Sequence, residues 1–186
     1  MSYIQEWSEA VARTNQVGLT VPPHQVKPEI RYLTDERVKE LPYVVRECLG
    51  ELDVKEVVAQ CISINYRLLP VIEQWLQCSV LYTIGWIDDG TDKGMFKFDD
   101  AFILDKLANG CPGGNVSIHA WLTLPSMEVI DISLATSMIV LSNSPLERGG
   151  VVAQHADLLK GITYKPMLVG MDFLKKAGLL IELSYQ

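Results

Sequence analysis

Residues 117–133 read SIHAWLTLPSMEVIDIS. Two runs rich in β-branched, aromatic and other apolar residues flank a turn that contains Pro125, and this pattern predicts a β-hairpin. Each run carries one ionisable side chain, His119 in the first strand and Asp131 in the second. Both strands otherwise have the composition of a core. The two ionisable groups therefore lie either on a solvated face or in a site that needs an imidazole and a carboxylate.

The register of this hairpin decides whether the two groups can meet. With a turn centred on Ser126, Asp131 lies opposite Trp121, and His119 shares the face of Trp121 because side chains alternate along a strand. His119 and Asp131 are then diagonal neighbours with Cβ atoms about 7–8 Å apart, within reach of a side-chain hydrogen bond. A two-residue turn would shift the register by one residue and place them on opposite faces.

The patterns on either side of the hairpin predict an α+β fold. A short N-terminal helix and an extended connector come first, followed by helical patterns, then by strand-like runs, and the chain closes with an amphipathic run. We therefore expect a helical N-terminal part packed on a central antiparallel sheet. Beyond the N-terminal helix, the predicted helices span residues 34–50, 53–77 and 171–183, and the strands that accompany the hairpin span residues 78–88 and 95–98.

Length predicts a single domain. The 186 residues are enough for one domain with a real core and too few for two comfortable ones. We expect one domain over residues 1–186, with an N-terminal helical region (1–50), a core that carries the site (51–135) and a C-terminal region (136–186) that completes the fold.

Charge and cysteine spacing argue against several classes of protein. Lys and Arg total 16 against 23 Asp and Glu, a net charge of −7, so no nucleic-acid partner is expected. No apolar run approaches the roughly 18 residues of a membrane span, and the N-terminus has no secretory pattern. The four cysteines lack metal-type spacing, so we expect reduced thiols in a cytoplasmic protein and no structural zinc.

An imidazole paired with a carboxylate suits nucleophilic catalysis. The carboxylate fixes the tautomer of the ring and leaves its other nitrogen free as a base, which activates a thiol readily. Cys61 precedes a helical pattern, and a helix N-terminus stabilises a thiolate. If one helix instead runs continuously over residues 54–69, Cys61 lies inside it and loses this stabilisation. Cys78 and Cys111 are alternative nucleophiles.

The order of these residues resembles the transglutaminase-like branch of the papain-like cysteine enzymes. CISINYRLLPVIEQWLQ begins with Cys61, HAW contains His119 with Trp121 two residues later, and VIDIS contains Asp131. The Cys-His-Asp order, with gaps of 58 and 12 residues, is similar to that of the superfamily. The spacing from Cys61 to Asn65 is also similar to that in arylamine N-acetyltransferases, although VVAQC lacks the glycines usual before that cysteine.

The resemblance implies a transglutaminase-like fold and thiol-dependent acyl chemistry on an amide, ester or thioester of a protein, peptide or small-molecule substrate. By it, Cys61 is the nucleophile, His119 the general base and acid, and Asp131 the residue that orients His119. The backbone N–H of Cys61, with Gln60 as a further donor, would stabilise an oxyanion. No metal or organic cofactor is implied. The competing interpretation is a catalytically inert interaction module on the same fold, with Cys61 buried in the core, where cysteine is frequently found.

Overall fold

The computed structural model describes residues 1–51, 57, 60–112, 116–141 and 150–180. Within these ranges the chain forms six α-helices and five strands. No helix among them is both long enough and apolar enough to span a membrane. The helices are α1 (Tyr3–Gln16), α2 (Asp35–Leu49), α3 (Cys61–Leu76), α4 (Asp100–Asn109), α5 (Leu134–Leu141) and α6 (Asp172–Lys176). The strands are β1 (Leu81–Asp88), β2 (His119–Thr123), β3 (Glu128–Asp131), β4 (Val152–His155) and β5 (Thr163–Val169), and a 3-10 turn (Ala156–Leu158) follows β4.

The five strands form one sheet in the order β4-β3-β2-β1-β5. The pairs β1–β5, β2–β3 and β3–β4 are antiparallel. Helices and an antiparallel sheet make this an α+β fold, which confirms the predicted class. Neither β4 nor β5 was predicted from the sequence.

The contacts of the chain cluster into two compact units, each assembled from separate segments. The first unit comprises residues 1–23, 83–119 and 160–186, and the second comprises residues 24–82 and 120–159. The single domain over residues 1–186 stays a prediction.

In the first unit, α1 packs against β5 through apolar and polar contacts. Trp7 buries its side chain almost completely. The hydroxyl of Thr14 accepts a hydrogen bond from the backbone N–H of Val169 (2.9 Å), and Lys165 pairs with Glu6 over 2.7 Å. These directional contacts fix the position of α1 along β5.

The loop after β1 makes one strand-like contact and then turns away. Met95 and Ile87 exchange two backbone hydrogen bonds, of 2.8 and 3.0 Å. The next residue, Phe96, has a φ of 61°, which strands do not adopt. The strand predicted over residues 95–98 is therefore reduced to a single bridge.

In the second unit, residues 124–127 connect β2 to β3, and the hydrogen bond between Leu124 and Glu128 closes a loop of three residues, 125–127. Leu124 donates its N–H to the carbonyl of Glu128, and Met127 donates its N–H to the carbonyl of Leu124, each over 2.9 Å. Met127 has a φ of 67°, the left-handed conformation that closes loops of this length. Leu122 lies opposite Ile130. This is the register predicted for the centred turn, and the two-residue turn is wrong.

In the second unit, α2 begins and ends where local chemistry predicts. Thr34 caps α2 by accepting the N–H of Arg37 over 3.4 Å, and α2 ends at Gly50, whose φ is 78°. Pro42 lies inside α2, and Pro70 lies inside α3 without breaking it before Leu76. The part of the predicted helix over residues 53–59 falls almost entirely outside the described residues.

The C-terminal helix is shorter than the pattern over residues 171–183 predicts. It spans five residues and gives way to a turn in which Gly178 has a φ of 73°. The N–H groups of Leu179 and Leu180 both donate to the carbonyl of Leu174, so they close a turn rather than continue the helix. Residues 181–183 of the prediction lie outside the described residues.

Candidate functional site

Cys61 is the first residue of α3. The preceding Gln60 has φ −109° and ψ 15°, outside helical geometry, and its carbonyl accepts the N–H of Ile64 over 2.9 Å, which starts the hydrogen-bond ladder. Amides in the first turn of a helix have no carbonyl partner within the helix, and their dipoles place partial positive charge there. Cys61 therefore lies at the N-terminus of a helix, and the continuous helix through residue 61 is wrong.

A buried asparagine ties the first turn of α3 to β2. Asn65 is fully buried, and its Nδ2 donates to the carbonyls of Cys61 and Ala120, each over 2.8 Å. The two acceptors fix which end of the amide carries nitrogen. Its oxygen, Oδ1, is buried without a hydrogen-bond partner. The side chain of Asn65 thus links Cys61 to Ala120, the residue that follows His119.

His119 is the first residue of β2 and is only 1% exposed. Its imidazole stacks on the ring of Phe96, with centroids 5.3 Å apart and ring planes 17° from parallel. Alternation along β2 places His119 on the same face as Trp121. His119 ends one segment of the first unit, and Ala120 begins a segment of the second.

Asp131 ends β3 and has no exposed surface. Continuing the described register by one pair puts it opposite Trp121, on the face predicted. Its Oδ1 accepts hydrogen bonds from the N–H (2.9 Å) and hydroxyl (3.0 Å) of Ser133 and from the N–H of Leu134 (3.0 Å). The carboxylate thus stabilises the start of α5 through Oδ1, which is sufficient reason for a buried Asp at this position.

All four cysteines are free thiols, and two of the alternatives to Cys61 are poor nucleophiles. Burial, and then the negative charge of Glu73, raise the pKa of the Cys78 thiol to about 11. Burial also raises the pKa of Cys111. A raised pKa leaves little thiolate at neutral pH. Cys48 donates its S–H to the carbonyl of Arg67 over 3.5 Å.

In the second unit, a cavity of about 700 Å³ lies at the turn end of the β2–β3 hairpin. Neither Cys61 nor Asp131 lines this cavity. Its polar groups serve the fold. Glu128 accepts the N–H of Leu33 (3.1 Å) and the hydroxyl of Ser126 (2.6 Å), so the hydroxyl of Ser126 is hydrogen-bonded to a carboxylate that also binds the backbone. His155 also lines the cavity, and its Nδ1 accepts the N–H of Asp157. We therefore place the candidate chemistry at Cys61.

Sequence reasoning missed Phe96 as a neighbour of His119. The stack joins a loop to the start of a strand 23 positions later, and no periodicity reports such a contact. Among the residues described, no group of three or more His, Cys, Asp or Glu side chains could hold a metal ion.

No protein-family model matches the chain, and neither the curated proteins nor the solved structures contain one that is detectably similar to it. The transglutaminase-like resemblance therefore stays a prediction from the residues themselves.

Proposed function

We propose that this protein is a thiol-dependent acyl-transfer enzyme in which Cys61 is the nucleophile, His119 the general base and acid, and Asp131 the residue that orients His119. One observation carries the proposal. Cys61 begins a helix whose first turn is bound through Asn65 to the strand that carries the histidine. To this geometry we add the contact among the three functional side chains, with Oδ2 of Asp131 as the oxygen that receives the imidazole N–H.

The reaction proceeds through a thioester on Cys61. The thiolate attacks the carbonyl carbon of the substrate, and the electron pair of the C=O bond moves to oxygen, which faces the amides at the start of α3. His119 holds the proton taken from the thiol and gives it to the departing amine, alcohol or thiol as that bond breaks. Water or an amine then loses a proton to His119, attacks the thioester and releases the thiol.

The proposed substrate is an acyl compound, either a protein or peptide or a small molecule. Hydrolysis, deamidation, crosslinking and acyl transfer share the steps above and differ only in which group enters and leaves. The chain carries a net charge of −7, which disfavours acidic substrates through long-range repulsion. The transglutaminase-like relationship belongs to the same proposal.

A second candidate is a catalytically inert interaction module, and the burial of the three side chains favours it. Cys61 is 8% exposed, His119 1% and Asp131 0%. A cysteine that only packs tolerates replacement by alanine, whereas a nucleophile tolerates not even serine. The reactivity of the Cys61 thiol therefore distinguishes the two functions.

Alkylation of the native protein by iodoacetamide at pH 6 and pH 9 tests the proposal, with each cysteine followed by mass spectrometry. An ordinary thiol reacts roughly 200-fold more slowly at pH 6 than at pH 9, because its thiolate fraction falls by that factor. For Cys61 we expect a ratio below about fivefold, because the imidazolium of His119 and the helix N-terminus keep it ionised. Cys78 and Cys111 are internal controls that remain unreactive at pH 6.

The His119→Ala and Asp131→Asn variants complete the test. In His119→Ala the pH 6 labelling of Cys61 should fall by one to two orders of magnitude, and in Asp131→Asn by a smaller factor. If Cys61 of the wild-type protein slows like an ordinary thiol, or reacts only after unfolding in urea, the enzyme proposal fails and the interaction module takes its place.

A further inference from the structure

The loop over residues 89–98 in the first unit is held against β1 by several independent contacts. Met95 is bonded twice to the backbone of Ile87. Gly94 has a φ of 58°, and a Cβ there would come within 2.8 Å of the Trp86 ring, so the loop lies directly on that side chain. Lys97 places its ammonium 4.9 Å from the centre of the same ring. Phe96 lies between these anchors.

Phe96 adopts a backbone conformation that bulky side chains rarely take. Its φ of 61° lies in the left-handed region, where a residue with a large side chain is a genuine outlier. Such strain persists only where the surroundings impose it, and it clusters at functional sites. In this loop the result of the strained conformation is a half-buried ring stacked on the imidazole of His119.

We propose that Phe96 is a positioning residue for His119. The stacked ring fixes the plane of the imidazole, and its face stabilises the imidazolium that accompanies a Cys61 thiolate. This inference rests on the proposed function. Phe96 itself touches neither substrate nor reacting atoms in this scheme.

Two physical effects support the role. Near-parallel rings 17° apart at 5.3 Å form an offset stack, one of the arrangements that aromatic rings prefer, and this stack favours one orientation of the imidazole plane. The face of an aromatic ring carries negative charge density and attracts a cation, and for a half-buried ring such as that of Phe96 this attraction favours the imidazolium by about two- to fivefold. A leucine fills much of the same space but has no aromatic face, so it supplies neither the stacking preference nor the attraction for a cation.

The test compares Phe96→Leu with Phe96→Tyr and with a matched control, Phe102→Leu. Phe102 forms an aromatic pair with Phe98 in the same unit, with ring centroids 5.2 Å apart, and its loss removes a similar ring contact elsewhere. We expect Cys61 labelling by iodoacetamide at pH 6 to fall about two- to fivefold in Phe96→Leu. Phe96→Tyr and Phe102→Leu should keep the wild-type rate.

Nuclear magnetic resonance of the His119 ring protons reports the stack independently of reactivity. In the wild-type protein these protons should resonate upfield of those of His24 and His155 because of the ring current of Phe96, and the shift should vanish in Phe96→Leu. Absence of the upfield shift in the wild-type protein overturns the positioning role without any variant having to fold.

The two proposals fail in distinguishable ways. If Phe96→Leu loses the upfield shift but labels Cys61 at the wild-type rate, Phe96 is a packing residue and the proposed function stands. If wild-type Cys61 shows no labelling at pH 6 that depends on His119, the proposed function fails and the positioning role fails with it.

Discussion

Replacing Asn65 with aspartate tests the link between α3 and β2. The substitution keeps the shape of the side chain but exchanges Nδ2, which donates to the carbonyls of Cys61 and Ala120 over 2.8 Å each, for an oxygen. Two attractive N–H···O contacts become O···O contacts in a site without exposed surface. Loss of the hydrogen bonds costs about 1–3 kcal/mol, and an uncompensated buried carboxylate raises the total to about 3–5 kcal/mol at pH 7.

The destabilisation by Asn65→Asp should depend on pH. Burial and the facing carbonyls raise the pKa of the introduced carboxyl above its unfolded value of about 3.9. The folded protein therefore binds the proton more tightly than the unfolded chain does. The penalty is smallest below about pH 4, where the protonated carboxyl donates one hydrogen bond, and it grows as pH rises through the folded pKa.

The assay is urea unfolding followed by tryptophan fluorescence at pH 4 and pH 7. Asn65→Leu is the control, because it removes the same two hydrogen bonds without adding a charge. We expect it to cost about 1–3 kcal/mol at both pH values. An Asn65→Asp protein that matches wild-type stability at pH 7 would refute the buried link, and a cost independent of pH would refute its burial.

Three further predictions concern other parts of the chain. Glu128→Gln puts an NH₂ group among donors that now bind a carboxylate, so urea unfolding should show a loss of about 1.5–3 kcal/mol. Phe96→Gly removes backbone strain together with the ring, so it should be more stable than Phe96→Ala by about 1 kcal/mol, and equal stabilities would mean that Phe96 is unstrained. The pKa of Cys78 is raised to about 11 by burial and by Glu73. Its alkylation rate should therefore still rise above pH 9. The stability that Cys78 contributes should be fully present below the unfolded pKa of about 8.5 and be lost as pH rises toward 11. In the Cys78→Ala variant, the free energy of unfolding should depend less on pH over this range.

The β2–β3 hairpin was predictable because its determinants are local. Two runs of core residues around a short turn with Pro125 predict both strands, and they leave two registers open, of which the structure has the one with the centred turn. β5 was not predictable in this way, since its partner β1 lies about 80 residues earlier in the chain. Its sequence also contains Pro166, which argues against a strand. The structure places Pro166 opposite Gly85, where the register of the pair shifts and tolerates it.

The candidate site, like the fold, was predictable only where its determinants are local. The pattern over residues 54–69 is continuous, so periodicity alone does not separate a helix that begins at Cys61 from one that passes through it. The backbone of Gln60 decides this, and its dihedral angles leave no mark in the sequence. The reactivity ranking of the cysteines depends on how deeply each is buried and on neighbours such as Glu73, which only the folded chain supplies.

Because the first unit is assembled from separate segments of the chain, it cannot be completed until late in synthesis. α1 packs on β5, and β1 also pairs with β5, yet β5 is completed about 150 residues after the end of α1. At a synthesis rate of about 5–20 residues per second, α1 is made roughly 8–30 s before the strand that covers its apolar face. Contacts this distant in sequence also make folding slow. A nascent chain stopped before residue 160 therefore exposes the apolar side of α1, and chaperones that recognise such surfaces should retain it until β5 is made.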